Sequence, residues 1–214
     1  MVGFNLINII INVPITLIAL TGHEFAHGWV STKLGEREGR LTLNPLAHLD
    51  PVGTLLMILT GFGWAKPVGV NPSYYKDTKK GMALTAAAGP LANLIMAFAA
   101  LLIYAILHVL CIKLGFGTSV LNGVATFAQL FAIRNLCFMV FNIIPIPPLD
   151  GAKVLGMFLP NKAYYTMLRY ERYSMLLIMV LSLIGVLNGI IGTGVNFFFN
   201  GIINLLNSAI NLIL

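Results

Sequence analysis

The sequence predicts an all-α polytopic membrane protein with about five to six transmembrane helices, a short re-entrant segment and a small β-hairpin-like element. Three observations carry that prediction. Hydrophobic residues make up 58% of the 214 and charged residues only 9%, and the mean hydropathy is positive, a balance outside the range of soluble domains. The apolar residues fall into runs long enough to cross a bilayer. Lys and Arg gather in the short segments between those runs, which is the signature of positive-inside orientation. A net charge of +6 distributed in that way argues against nucleic acid as a partner and for a lipid bilayer. Cys111 and Cys137 sit in apolar runs without C-x-x-C spacing, so neither a disulfide framework nor a thiolate metal site is expected. With no repeats or low-complexity tracts, residues 1–214 are expected to form one membrane domain.

A bilayer core of about 30 Å needs about 20 helical residues. On that rule residues 4–30, 82–112, 120–144, 173–189 and 195–213 are the expected spans. The first lacks a basic leader region and continues into polar chemistry, so it reads as a retained span and not a signal peptide. Residues 52–62 are about half the required length and are bounded by Pro51 and Gly61-Phe62-Gly63, so they are expected to be re-entrant or short and buried. Leu41-Thr42-Leu43-Asn44 and Lys66-Pro67-Val68-Gly69-Val70 alternate with the period of strands and suggest a hairpin-like element, with irregular Pro- and Gly-rich loop as the alternative. Lys33, Arg37, Arg40, Lys66, Lys76, Lys79 and Lys80 lie between the first two spans, and Lys153, Lys162, Arg169 and Arg172 between the third and fourth. Both segments are therefore expected on the cytoplasmic side. Asn5, Asn8, Asn12 and Thr16 form a polar stripe on the first span, and Asn196, Asn200, Asn204, Asn207 and Asn211 form another on the last. A ladder between these two helices, an oligomer seam and a helix lying at the interface all remain open.

Chemistry concentrates in Gly22-His23-Glu24-Phe25-Ala26-His27. Residues four apart share a helix face, so His23 and His27 can turn ring nitrogens toward one Zn²⁺ while Glu24 reaches a water beside it. Six residues separate His27 from Lys33, which puts the motif roughly 10 to 15 Å below the cytoplasmic surface. A catalytic zinc site normally has three protein ligands and an open position. The remaining candidates are His48, His108, Asp50, Asp77 and Asp150. His108 falls near the external end of its span and Asp77 lies among lysines, while Asp150, in Asn142-Ile143-Ile144-Pro145-Ile146-Pro147-Pro148-Leu149-Asp150-Gly151, lies on the same side of the membrane as His27 by the charge argument and is the best third candidate. The residues alone equally suit Asp150 as N-cap of a short helix over 151–159.

The combination of H-E-x-x-H with N-x-x-P-x-P-P-L-D-G resembles the site-2 protease family of intramembrane zinc metalloproteases. Asn44-Pro45-Leu46-Ala47-His48-Leu49-Asp50-Pro51 with Gly53-Thr54, and Ala88-Gly89-Pro90-Leu91-Ala92-Asn93, resemble its bacterial and archaeal members, and the similarity runs from Gly22 to Gly151. The resemblance implies Zn²⁺ held by His23, His27 and Asp150, Glu24 as catalytic acid/base, and Asn142 and Asn93 as contacts to substrate. It further implies an endopeptidase in a prokaryotic cell membrane, active near the cytoplasmic side, that cuts membrane-spanning segments of anchored proteins or signal-peptide remnants. Such a substrate must be unwound to expose its peptide bond, and the 41–44 or 66–70 segment is expected to hold it extended by strand addition. A homo-oligomer is the partner expected where a polar stripe forms a seam between copies. The competing class is a non-enzymatic metal-binding or metal-transporting membrane protein, for which Glu24 has no special role. A prenyl-protein zinc peptidase would need a Glu as third ligand, and Glu171, in a basic solvated segment, suits that poorly.

Overall fold

The computed structural model describes residues 6–37, 41–51, 53, 66, 68–115 and 119–211, with side chains in the first helix described from residue 11 and in the third from residue 121. Among these residues the protein is all-helical. Four long helices form the bundle: α1 (Leu6–Lys33), α2 (Thr78–Leu114), α3 (Ser119–Ile143) and, after three short helices, α7 (Val186–Asn211). The short ones are α4 (Asp150–Gly156), α5 (Asn161–Arg169) and α6 (Glu171–Leu183). By length and composition α2, α7 and residues 121–143 of α3 are apolar enough to cross a membrane. The 28 residues of α1 extend about 42 Å at 1.5 Å per residue, enough for a bilayer core by length alone.

Helix boundaries follow from local chemistry. The Asp77 carboxylate accepts from Lys80 N at 3.0 Å and starts α2, while Gly115, at φ +70°, ends it in a left-handed turn that a side chain would strain. Small residues then set the packing. Ala97, Leu101 and Ala105 of α2 meet Ala132, Leu136 and Met139 of α3 and Val195, Ile202 and Leu206 of α7 in one buried core. Between helices in lipid, such close approach replaces the hydrophobic effect as the source of cohesion. On the other side of α2 and α3 lies α1.

The last two expected spans come out differently. The fourth, expected over 173–189, is cut at Gly185 (φ +79°), and α6 is only 13 residues, about 20 Å, short of a bilayer core. Residues 190–194, left between the expected spans 173–189 and 195–213, are helical and belong with Gly189 to α7. At Gly194 packing requires the glycine: a Cβ there would stand 2.7 Å from the Val140 side chain, so its absence lets α7 lie directly on α3. Leu187 and Ile191 cluster with Phe141, Ile144 and Leu149 at the end of α3, whereas Ile202 and Leu206 lie in the central core with Ala132. Hence α7 runs antiparallel to α3.

That direction also removes the amide ladder between the first and last helices. α7 packs on α2, α3 and α6, and α1 is not among its principal neighbours. Asn196, Asn200, Asn204, Asn207 and Asn211 are all exposed on the outer face of the bundle. Asn12 instead accepts from Arg134 of α3 at 3.1 Å, while Asn5 and the side chain of Asn8 lie outside the described residues.

Among the described residues there is no strand. The expected hairpin-like element is represented by one contact, Lys66 N–H to the His48 carbonyl at 2.9 Å. Asn44 diverts the chain by accepting from Leu46 N and starting the 3₁₀ turn Pro45–His48. The expected re-entrant run over 52–62 lies outside the described residues apart from Gly53.

Both basic segments occupy one end of the bundle. Lys79, in the first turn of α2, donates to the Leu159 carbonyl and to Asn161 Oδ1, tying the α1–α2 connection to the α4–α5 corner.

Candidate metal centre

One turn of α1 brings His23 and His27 to the same face, and α2 comes against that face where it has no side chain. A Cβ on Gly89 would stand 2.6 Å from Cε1 and Nε2 of His23 and 2.6 Å from Cε1 of His27. The third element arrives from α4. Leu149 is its N-cap, so Asp150 is the first helical residue and not the cap; Lys153 Nζ lies 3.5 Å from its Oδ1, and its Oδ2 is left for another task. Gly151 permits this, because a Cβ there would run into the Ile143 carbonyl.

His23 Nε2 and His27 Nε2 are 3.0 Å apart, and each lies 3.2 Å from Asp150 Oδ2. All three residues are buried, at 4%, 9% and 5% exposure. The other ring nitrogens are already committed. His27 Nδ1 lies 2.7 Å from the Thr85 carbonyl, which can only accept, so Nδ1 carries the proton. His23 Nδ1 lies 2.6 Å from Asn93 Oδ1, and Asn93 Nδ2 donates to Ala19 O (3.1 Å) and Asn135 Oδ1 (2.9 Å), which identifies Oδ1 as the acceptor and His23 Nδ1 as the donor. With neutral rings, both Nε2 atoms then present lone pairs to each other and to a carboxylate oxygen that has no hydrogen-bond partner of its own.

Three buried acceptors converging without a donor are repulsive unless a cation sits among them. Among the described residues this is the cluster with metal-ligand character. Its edges of 3.0 and 3.2 Å are close to the roughly 3.3 Å that a tetrahedral ion with bonds of about 2.0 to 2.1 Å imposes on its ligand atoms. The residues present therefore fit Zn²⁺.

Glu24 lies beside the triangle and not in it. It is 9% exposed, and its Oε2 accepts from Val68 N at 2.9 Å. His48 is buried with Nε2 on the Thr42 carbonyl at 3.0 Å, and Asp50 accepts from Gly53 N at 2.8 Å, so both are occupied away from the centre. Asn142 is half-buried near the end of α3 and donates back to Phe138 O at 3.0 Å. Asn93 is fully buried with its amide spent on His23, Ala19 and Asn135. Sequence reasoning missed Asn135, Thr85 and Val68, which support these groups from behind. For Asn135 the signal was an amide inside a span, next to the equally overlooked Arg134.

The model of "Peptidase family M50" matches residues 106–187, which include Asp150. "Putative zinc metalloprotease YwhC" of Bacillus subtilis is 36% identical over 169 residues, covering 77% of this chain and 76% of that one. "Putative zinc metalloprotease Rip2" of Mycobacterium tuberculosis is 27% identical over 186 residues, covering 81% of this chain and 66% of its own. The Rip2 of Mycolicibacterium smegmatis is 28% identical over 181 residues, with 80% and 66% covered. No solved structure matches. On this kinship, and on a buried His–His–Asp triangle suited to zinc, the chain belongs to peptidase family M50 and is a membrane zinc metalloprotease.

Proposed function

We propose that this protein hydrolyses peptide bonds within or beside the membrane-spanning segments of anchored proteins, with His23, His27 and Asp150 holding Zn²⁺ and Glu24 as general acid/base. The observation that carries the reading is the convergence of two lone-pair nitrogens and an unpartnered carboxylate oxygen at 3.0 to 3.2 Å. Bound there, the ion supplies Lewis acidity that polarises the scissile carbonyl and makes water acidic enough to deprotonate near neutral pH. Glu24 takes the proton of the attacking water and delivers it to the departing amine. Val68 N–H fixes one carboxylate oxygen of Glu24 and leaves the other for that proton.

Asn93 serves to orient His23, since none of its amide protons is left for substrate. Asn142, whose oxygen has no partner among the described residues, is the better placed of the two for a substrate contact. An apolar cavity of about 450 Å³ leads to Asp150 between Ala87, Pro90 and Leu91 of α2, Met139 of α3 and Phe198 of α7. Its lining suits the side chains of a lipid-embedded segment.

The two basic segments, joined through Lys79, support a centre near the cytoplasmic face of the cell membrane. With α6 too short to cross, α1, α2, α3 and α7 are the four crossings among the described residues. The five exposed asparagines of α7 do not line that cavity, and amides in lipid are unfavourable, so a second copy of the chain is the partner we assign to that stripe.

The test is Glu24→Gln in purified protein with single-span peptides, cleavage being read by mass spectrometry. A protease loses roughly 10²- to 10⁴-fold in turnover and keeps its zinc. Undiminished cleavage, or zinc transport into vesicles by the variant, would replace this reading with the non-enzymatic one.

A further inference from the structure

α1 and the turn after it carry a second buried carboxylate that the chemistry above does not use. Gly35, at φ +111°, turns the chain back after α1, and Glu36 N–H bonds the Ser31 carbonyl at 3.2 Å. This places Glu36 inside the protein at 2% exposure. An ionisable group so placed is costly unless its oxygens are engaged, and both are. Oε2 accepts from the Ser31 hydroxyl, and Oε1 accepts from Asn71 N at 2.6 Å. Ser31 Oγ continues to the Tyr75 hydroxyl at 2.6 Å, and that hydroxyl to Thr85 Oγ1 at 3.0 Å.

Two carboxylates thus grip one short segment. Val68 N–H rests on Glu24 and Asn71 N–H on Glu36. Downstream the segment is pinned again. The Asn71 side chain accepts from Ser73 N at 3.1 Å, and the Tyr75 ring lies against α2 where Gly81 leaves room. Three residues reach at most about 10 Å, so the place of Asn71 limits where Val68 can go.

We propose that Glu36 is a positioning residue. It fastens the segment over 68–71 to α1 so that the Val68 amide stays on the carboxylate of Glu24, which rests on the reading of Glu24 as general base. Loss of that anchor lets the segment lift, freeing Glu24 to rotate and opening the buried Val68 side to water. A displacement of about 1 Å at a reacting group is enough to cost on the order of 100-fold in rate.

The test uses full-length protein in detergent, with Glu36→Ala compared with the parent. Zinc content, melting temperature, kcat and KM on a cleavable single-span peptide are measured together. In parallel, Val68→Cys, in a background with Cys111 and Cys137 replaced by Ser, is labelled with a water-soluble maleimide with and without Glu36→Ala. The expected result is one zinc per chain retained, kcat down roughly 10- to 100-fold with KM within about threefold, and labelling of the introduced thiol faster by about tenfold. If Glu36→Ala does not fold, Ser31→Ala removes one donor to the same carboxylate and should move kcat and labelling in the same direction by less. Unchanged labelling, or loss of zinc and melting temperature in step with activity, overturns the proposal. Labelling does not depend on turnover, so a failure of Glu24 as general base leaves that arm readable and is detected separately by Glu24→Gln.

Discussion

Asn93 Oδ1 lies 2.6 Å from His23 Nδ1, and the same amide group is braced by Ala19 of α1 and Asn135 of α3. One side chain thereby sets both the tautomer and the tilt of a metal ligand. Partners of this kind typically govern roughly 10- to 100-fold in metal affinity. Asn93→Ala is expected to weaken zinc by about that factor in chelator competition, and unchanged affinity would show that α1 alone orients the ring.

Gly89→Ala is expected to abolish zinc binding. The added methyl would collide with both imidazoles at 2.6 Å, and neither ring can retreat while its Nδ1 is held. Gly123→Ala, with nothing within 4 Å of the new atom, is the control and should retain full metal content. Metal analysis of the two purified variants checks the pair.

Asp150→Ala should lose the metal, whereas His48→Ala and Asp50→Ala should each keep about one ion per chain. The reason is positional, since His48 and Asp50 are engaged with Thr42 and Gly53. Zinc retained in Asp150→Ala but lost in either of the others would reassign the third ligand.

Cysteines at Lys79 and Lys162 should be labelled from the same, cytoplasmic, side of sealed membranes, because Lys79 contacts the α4–α5 corner directly. A cysteine at Asn211, at the far end of antiparallel α7, should be labelled from the opposite side. Labelling of Asn211 from the cytoplasm would restore a crossing to α6.

Asn200→Cys, in a background without other cysteines, should form intermolecular disulfides on oxidation in membranes. Each interhelical amide bond in such a seam contributes only about 0.6 kcal/mol, so the contact depends on the whole stripe. Strictly monomeric product along Asn196, Asn200 and Asn204 would leave the stripe unpartnered by a second copy. Asn12→Cys paired with Asn200→Cys should give no intramolecular bond, since α1 and α7 are not principal neighbours.

Local rules were enough to find what depends on local order. The length of an apolar run fixes whether a helix can cross, which is why α1, α2 and α3 were legible to within a few residues at most ends. The i, i+4 spacing of His23 and His27 is a property of any helix. Asp150 was legible only as one of two readings, ligand or cap, because an aspartate opening a helix after a Pro-rich turn suits both. Its carboxylate goes to the histidines because α2 and α3 deliver α4 to the face of α1, and that is a matter of packing.

The same holds where the sequence misled. Glycines at 185, 189, 192 and 194 are equivalent breakers on paper. The fold breaks the helix at Gly185 and uses Gly194 to seat α7 on Val140. The direction of α7, the outward turn of its asparagines, the bracing of His23 by Asn93 and the twofold grip of Glu24 and Glu36 on one segment all join residues far apart in the chain. No periodicity encodes such pairs. They exist because small residues at helix crossings let particular backbones come within contact distance, and only the assembled bundle determines which backbones those are.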